Sequence, residues 1–319
     1  MGGGCFGRVY LARRDDGKHF AIKIFEVQAD GILITKKKVQ EAFQHEQAIL
    51  QKISSHVKDC PFLVKLEESF EDMNTKLPCL VLTPVVDKGK TLEARMSISS
   101  ETSSSSSFSP SYTLGDIYRW AKQFANGLEA LHALCVVHFD LAPKNLLLHA
   151  VVGHANEDIL IGDFGTTVIS RRSGPVPGSF IPTDSCFVPP EVRGLSGLQD
   201  PQTREDIQEH IKHHYNGPKY DMWGYGVILY LLVQGRGWVD MDMDEIDKLA
   251  KKEDLRQQVL MLIQQDIWGE KSGGEIQELE QQEKLSKVIS GTLCMDPGSR
   301  MSAPDVVKEL KGGYNAFEL

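Results

Sequence analysis

The stretch HFDLAPKN, residues 138–145, is followed by GDFG at residues 162–165, and these two motifs decide how the sequence is interpreted. Asp140, Asn145 and Asp163 supply two carboxylates and one amide from what the pattern indicates are neighbouring turns. Magnesium prefers a few such oxygen ligands together with the phosphates of a bound substrate. The two motifs therefore indicate a magnesium site with a carboxylate base for a hydroxyl group beside it.

Two further motifs come earlier in the chain. GGGCFGRV at residues 2–9 fits the pattern Gly-x-Gly-x-x-Gly-x-Val. Glycines let backbone N–H groups approach a polyphosphate without side-chain collision, although any glycine-rich turn between strands fits this pattern. AIK at residues 21–23 follows on the next predicted strand and places Lys23 where its ammonium can meet phosphate oxygens. With all four motifs in this order, a chance match is a poor explanation.

Composition excludes several classes of function. The 319 residues are enough for two lobes with a shared core. A formal charge of −9, from 35 basic and 44 acidic residues, argues against a general nucleic-acid or membrane-surface binder. No apolar run approaches the roughly 20 residues that span a bilayer. The six cysteines form no CxxC pair, so we expect reduced thiols in the cytoplasm, or secretion if N-terminal sequence is missing.

Local patterns divide the chain into a β-rich part and a helical part. The strand-like segments are 8–13, 19–25, 62–70 and 79–86. Apolar residues at helical spacing cover 36–53, so an antiparallel sheet with one helix is predicted over about the first 85 residues. The serine-dense segment 97–111 predicts a disordered surface insertion. Helical patterns dominate after it.

In the order of its motifs, and over nearly its whole length, the chain resembles the eukaryotic protein kinases. FLVKLEESFED at residues 62–72 is especially similar to the corresponding stretch of that family. The resemblance implies an α+β, bilobal fold, with ATP between a small antiparallel β-rich N-lobe and a larger, mainly α-helical C-lobe. We expect the N-lobe at 1–85, with its first strand largely missing. The C-lobe is expected at 86–319, with the serine-rich insertion 97–111 and a second insertion at 193–217.

The resemblance implies a set of residues around ATP. They are Gly2, Gly4, Gly7, Val9, Ala21, Lys23, Leu82, Thr83, Val85 and Leu147. The three glycines would cover the phosphates. Leu82 would be the gatekeeper, and Thr83 and Val85 would offer a carbonyl and an N–H to the adenine. The residues that would enclose the purine are Val9, Ala21 and Leu147.

The resemblance also assigns roles to charged residues. Lys23 would hold the α- and β-phosphates and pair with Glu46 of HEQAIL, or with Glu41 as the alternative. Asp140 would accept the hydrogen of the substrate hydroxyl. The expected magnesium ligands are Asn145 and Asp163. Magnesium would neutralise charge that develops between the phosphates.

Further matches concern residues that would support this site. An apolar column joining the lobes would consist of Leu50, Leu66, His138 and Phe164. Glu191 of PPE would pair with Arg300. Asp221 would anchor the backbone of the catalytic loop from a buried helix, where an aspartate needs such partners.

Within HFDLAPKN the sequence departs from the family in its basic residues. Most serine/threonine kinases have a lysine two residues after the catalytic aspartate, and Ala142 stands there in this chain. Lys144, four residues after Asp140, matches the position of an arginine in many tyrosine kinases. The positive charge is therefore relocated, and we expect Lys144 to stabilise the transferred phosphate.

The second departure is Phe139. It replaces an arginine that in the family binds a phosphate on the activation segment. Without that arginine, a phosphate on Ser173, Ser179, Thr183 or Ser185 has no obvious partner. We therefore expect an activity that does not depend on phosphorylation of this segment.

The implied function is ATP- and Mg²⁺-dependent transfer of the γ-phosphate to a protein hydroxyl. The alternative is a pseudokinase that binds nucleotide or a partner, which the missing first strand and the altered loop favour. The five retained residues that favour an enzyme are Lys23, Glu46, Asp140, Asn145 and Asp163. Pro143 and the body of the sequence favour serine/threonine as the acceptor, whereas Ala142 with Lys144 resembles tyrosine kinases. The expected partners are ATP and a protein substrate, without nucleic acid.

Overall fold

The computed structural model of the chain describes residues 3–4, 7–26, 35–57, 59–83, 90–101, 111–150, 156–169, 186–192, 217–235, 242–264 and 276–311. Its first part is a single antiparallel sheet. The strands are β1 (Gly3–Gly4), β2 (Gly7–Arg13), β3 (His19–Phe25), β4 (Lys65–Glu71) and β5 (Pro78–Thr83), in the spatial order β1-β2-β3-β5-β4. Gly17, in the turn between the second and third strands, has a φ of +86°.

One helix packs on this sheet. Helix α1 (Lys36–His56) begins after Thr35, whose hydroxyl accepts a hydrogen bond from the Lys38 backbone N–H. Its buried side chains are Val39, Phe43, Glu46, Ile49, Leu50 and Ile53. This stripe follows the three- and four-residue spacing of one helix face, so the apolar pattern alone dictates which side meets the sheet.

The rest of the described chain is mainly helical. Its helices are α2 (Leu92–Glu101), α3 (Leu114–Ala133), α4 (Gly217–Gln234), α5 (Met243–Ala250), α6 (Leu255–Ile263), α7 (Ile276–Thr292) and α8 (Ala303–Lys311). Its strands are β6 (Val136–Val137), β7 (Leu146–Ala150), β8 (Glu157–Ile161) and β9 (Val168–Ile169), paired as β6 with β9 and β7 with β8. The prediction of an antiparallel β-rich part followed by a mainly helical part is confirmed.

Helix α4 is the centre of the helical part. Every residue from Tyr220 to Val233 is buried, including Asp221. A helix that is apolar on all sides has no solvent face and must be surrounded by other elements. Helices α3, α6 and α7 contact it, so α4 provides a fixed base for the loops above it. Among the described helices, none combines the length and the apolar character that a membrane crossing requires.

Two predicted boundaries differ from the structure. The serine-rich insertion is predicted at 97–111, but α2 continues to Glu101, because Leu92 and Met96, four residues apart on one face, are fully buried and hold the helix in place. The Ser97 hydroxyl also donates to the Glu93 carbonyl within the helix, at 2.9 Å. Ser111, at the other end, donates to the Arg95 carbonyl at 3.0 Å. Residues 102–110 lie outside the described residues.

The second insertion, predicted at 193–217, ends one residue too late, because Gly217 is the first residue of α4. Residues 193–216 lie outside the described part of the chain, as does the predicted lobe boundary at 85/86. The cysteines at positions 60, 79, 135, 186 and 294 are free thiols, and Cys5 is outside the described residues.

Candidate active site

Strand β3, helix α1 and the GDFG turn bring three charged side chains together. The Lys23 Nζ lies 2.8 Å from Oε1 and 2.7 Å from Oε2 of Glu46, and 3.1 Å from Oδ1 of Asp163. Lys23 and Glu46 are almost fully buried, with 12% and 3% of their side chains exposed, whereas Asp163 is 46% exposed. Glu41, the alternative partner, lies on the exposed side of α1 with its Oε1 3.8 Å from Lys37 Nζ.

The three charges depend on one another electrostatically. Burial disfavours the charge on Lys23, but the carboxylates of Glu46 and Asp163 outweigh it and raise the pKa of Lys23. Burial likewise opposes the charge on Asp163, yet Lys23 and the Gly165 backbone N–H lower the pKa of that carboxyl below its ordinary value of 3.8. Lys23 is therefore a permanent cation and Asp163 a permanent anion at neutral pH.

The catalytic loop, residues 138–145, is anchored by Asp221 of helix α4. The backbone N–H groups of His138 and Phe139 donate to its two carboxylate oxygens, at 2.9 and 3.1 Å. His132 Nε2 lies 2.9 Å from Oδ2 and donates to it as well. A fully buried carboxylate is thus satisfied by three donors, as the prediction for this residue requires.

Around Asp140 the loop forms a small polar cluster. The Asn145 amide nitrogen donates to the Asp140 carbonyl at 2.7 Å and to Oδ2 of its carboxylate at 3.1 Å. Lys144 Nζ lies 3.5 Å from the same Oδ2, with 54% of its side chain exposed. The cation that the sequence places four residues after Asp140 therefore faces the same side of the loop as the carboxylate.

Two residues of the site have unusual backbone conformations. Phe139 and Asp163 lie in the left-handed region, with φ values of +67° and +57°. Residues other than glycine adopt this backbone conformation at an energetic cost. They concentrate at functional sites, where the surrounding structure enforces the conformation. Phe139 immediately precedes Asp140, and Asp163 carries a carboxylate itself. The strained backbone therefore occurs where these two carboxylates are oriented.

The predicted apolar column lies beside these groups. Leu50 and Phe164 belong to one buried cluster, and Leu66 packs against it. The rings of His138 and Phe164 have their centroids 5.5 Å apart. His138 Nε2 also lies 3.0 Å from the Gly162 carbonyl oxygen and donates to it, which connects the catalytic loop to GDFG.

The expected nucleotide-binding residues of the sheet are brought close by strand pairing. Val9 is opposite Lys23 across β2 and β3, and Ala21 is opposite Leu82 across β3 and β5. Thr83 ends β5, and Leu147 lies half-buried on β7. Their contacts to adenine remain predictions.

Gly4 of β1 pairs with Gly7 of β2. A Cβ on residue 7 would come within 2.2 Å of the Ile24 carbonyl oxygen, so this position requires glycine. Two residues of the expected set, Gly2 and Val85, lie outside the described residues.

A second ion pair fixes residues 186–192 to the helical part. The Arg300 guanidinium binds Glu191 through two hydrogen bonds of 2.7 Å. Arg300 is fully buried and its guanidinium carbon lies 5.0 Å from the centroid of the Trp223 ring. This bidentate geometry with cation–π contact is the arrangement in which arginine is hardest to replace.

Sequence patterns did not identify two contacts of the site. His45 Nε2 lies 2.7 Å from the Thr167 carbonyl oxygen and donates to it, joining α1 to the segment after GDFG. The hydrogen bond of His132 to Asp221 is the other. Both histidines occur in ordinary helical patterns, and the only signal for His45 is its position next to Glu46.

A β-rich lobe and a helical lobe with these charged groups between them define the architecture of a protein kinase. Comparison with known families agrees: the family described as "Protein kinase domain" matches residues 1–310, and the chain belongs to this family.

Several curated proteins are similar to it. Human "Serine/threonine-protein kinase H2" is 27% identical over 255 residues, which is 79% of this chain and 53% of that protein. A "Calcium/calmodulin-dependent serine/threonine-protein kinase" from Malus domestica is 26% identical over 300 residues, 93% of this chain and 58% of that protein. "Myosin light chain kinase A" from Dictyostelium discoideum is 25% identical over 240 residues, 74% of this chain and 64% of that protein. The chain thus spans little more than half the length of the first two relatives.

Proposed function

We propose that this chain is a protein kinase that transfers the γ-phosphate of ATP, with Mg²⁺, to a serine or threonine hydroxyl of a protein. The observation that carries the proposal is the ion pair of Lys23 with Glu46, together with the contact of Lys23 to Asp163. These three residues are separated by up to 140 positions in the sequence. Taking a lysine and its carboxylate partners out of water costs desolvation free energy. Such clusters of buried charges concentrate at functional sites.

The chemistry of the donor set fits a magnesium-bound nucleotide. Asp163 offers a half-exposed carboxylate. In the described part of the chain the hydrogen bonds of the Asn145 side chain use its amide nitrogen, which leaves the amide oxygen as a ligand. Carboxylate and amide oxygens are the ligands that Mg²⁺ takes along with substrate phosphates. When bound, the ion would neutralise charge on the phosphates.

In the proposed reaction the acceptor hydroxyl oxygen forms a bond to the γ-phosphorus, and the bond from that phosphorus to the β–γ bridging oxygen breaks. ADP leaves with the bond's electron pair. The hydroxyl proton passes to the Asp140 carboxylate, whose position is fixed by Asn145. Lys23 would hold the α- and β-phosphates, and Lys144 would stabilise charge on the transferred γ-phosphate, since Ala142 cannot.

Serine or threonine is the proposed acceptor because of the relatives and one residue of the loop. The names of the human and Malus domestica relatives state serine/threonine specificity. Pro143 matches that class. Ala142 with Lys144 resembles tyrosine kinases instead.

The test measures nucleotide binding and phosphate transfer by the purified chain. The melting temperature should rise with ATP and rise further when Mg²⁺ is added, and ³²P from γ-labelled ATP should appear in a generic acceptor such as myelin basic protein. Acid hydrolysis of the product should release phosphoserine or phosphothreonine. Phosphotyrosine alone would refute the acceptor assignment. Nucleotide binding without transfer would refute the enzyme and support a pseudokinase.

A further inference from the structure

A small apolar cluster lies beneath the catalytic loop, separate from the main core of the described chain. Its members are Val137, Phe139, Val188, Val192 and Tyr220. They come from three places: the catalytic loop with the strand before it, the segment 186–192, and the start of α4. We call this the Phe139 cluster. It connects, by side-chain packing, parts of the chain that are far apart in sequence.

Phe139 is the member that the loop contributes. Only 3% of the residue is exposed, and its ring centroid lies 4.8 Å from that of Tyr220 at an interplanar angle of 51°. Offset and tilted ring pairs at this distance are favourable beyond the apolar area that they bury. A phenyl ring carries no formal charge and no hydrogen-bond donor, and its described contacts to Tyr220 and the rest of the cluster are packing contacts.

The backbone of Phe139 is under strain at the same time. Its φ of +67° lies in the left-handed region, which an L-residue with a Cβ occupies only when its surroundings enforce it. Within the described part of the chain, two restraints act on it. The backbone N–H donates to Asp221, and the ring is enclosed by the cluster. The next residue is Asp140, so the strained conformation sets the direction in which that carboxylate leaves the loop.

We propose that Phe139 is a positioning residue: its ring, enclosed in the Phe139 cluster, holds the strained backbone that orients Asp140 and couples the catalytic loop to residues 186–192. The proposal rests on the proposed phosphotransfer function, because Asp140 is the base in that reaction. Segment 186–192 is in turn fixed by the ion pair of Glu191 with Arg300. The Phe139 cluster therefore links, through apolar contacts, the segment that carries Glu191 to Phe139, the residue before Asp140.

Two truncations of Phe139 should differ in their effect on activity. Phe139→Ala removes the ring and keeps the backbone penalty of a Cβ, whereas Phe139→Gly removes both. The turnover number kcat should fall about 10-fold to 100-fold in Phe139→Ala, the size of effect expected for a misplaced catalytic group. It should fall less in Phe139→Gly. Phe139→Leu, which refills the cluster, should recover most of kcat.

The KM for ATP should stay within about twofold of the wild-type value in all three variants, because among the described residues neither Lys23 nor the sheet belongs to the cluster. Phe70→Ala, on the exposed surface of β4, is the matched control and should leave kcat unchanged. Val192→Ala loosens the cluster from its other side and should lower kcat in the same direction. It also keeps the test open if Phe139→Ala does not fold.

A second readout does not need activity. The backbone amides of His138 and Phe139 donate to Asp221, so their hydrogen exchange should be slow in the wild type and clearly faster in Phe139→Ala and Val192→Ala, with α4 unchanged. If the wild-type chain transfers no phosphate, the proposed function fails, yet this exchange measurement still decides the role of the cluster. Unchanged exchange and kcat in both variants, or a kcat lower in Phe139→Gly than in Phe139→Ala, would overturn the proposal.

Discussion

Lys23 Nζ contacts both carboxylate oxygens of Glu46, at 2.8 and 2.7 Å, although the two residues lie on different elements and both are nearly excluded from water. Removing one partner of such a pair leaves an uncompensated buried charge. We expect Lys23→Met to lower the free energy of unfolding by about 3 kcal/mol and to abolish phosphate transfer. Urea denaturation and a ³²P transfer assay measure the two effects.

The double variant Lys23→Met/Glu46→Leu separates stability from function. Replacement of a buried ion pair by apolar side chains is often neutral or stabilising, so the free energy of unfolding should return most of the way to wild type. Phosphate transfer should remain absent, because in the proposed function Lys23 holds the phosphates of ATP. Transfer that returns together with stability would show that the lysine has only a structural role.

Lys144 provides the next prediction. Its ammonium lies 3.5 Å from Oδ2 of Asp140 and is half-exposed, so its contribution is screened by water. Loss of a buried charge-stabilising donor costs about 100-fold or more in kcat, and for this exposed group we expect about 10-fold to 100-fold in Lys144→Ala. Lys144→Arg should retain most of kcat. Lys37→Ala, at an 85% exposed lysine on α1, is the control, and an equal kcat in Lys144→Ala and Lys37→Ala would contradict the role.

Activity should not require phosphate on the activation segment. Phe139 carries no charge and packs in an apolar cluster, so it cannot bind a phosphate on Ser173, Ser179, Thr183 or Ser185, which lie outside the described residues. We expect equal kcat before and after treatment with λ phosphatase, with mass spectrometry to verify complete dephosphorylation. A large drop after treatment would mean that another cation binds such a phosphate.

The depressed pKa of Asp163 leads to a prediction about pH. Its folded value lies below the ordinary 3.8 of the unfolded chain, so between these values the unfolded chain holds more protons and stability increases with pH. The stabilisation is fully present above pH 3.8 and disappears as pH falls through the folded pKa. The excess stability of the wild type over Asp163→Asn, measured by urea denaturation between pH 3 and 6, should therefore shrink as the pH is lowered. An excess that grows toward low pH would contradict it.

The sequence predicts the fold from local patterns, and it predicts most of the charged site because the order of its motifs resembles that of the protein kinase family. Even the choice between Glu46 and Glu41 is contained in it. Glu46 falls on the same helix face as Phe43 and Leu50, at spacings of three and four residues, and that face is buried. Glu41 is off this stripe and is exposed. The helical phase of the apolar residues therefore favours Glu46 over Glu41 as the buried glutamate of this helix.

Other features could not be predicted, because they depend on contacts between distant segments. Nothing near Phe139 in the sequence indicates that its ring meets Tyr220, 81 positions later, or that Val188 and Val192 complete the cluster. The contact of His45 with the Thr167 carbonyl spans 122 positions. The extension of α2 into the serine-rich segment escapes prediction for a different reason: two buried residues, Leu92 and Met96, outweigh the weak helical preference of serine.

The most direct test of the central claim compares γ-phosphate transfer by the purified chain with transfer by Asp140→Asn, at saturating ATP and Mg²⁺. We predict that the wild type incorporates phosphate at serine or threonine. Asp140→Asn should be slower by about 100-fold to 10,000-fold, the contribution typical of a general base, while its affinity for ATP is unchanged. Equal rates for the two proteins, or no transfer by the wild type at millimolar ATP, would contradict the assignment of this site as a kinase active site.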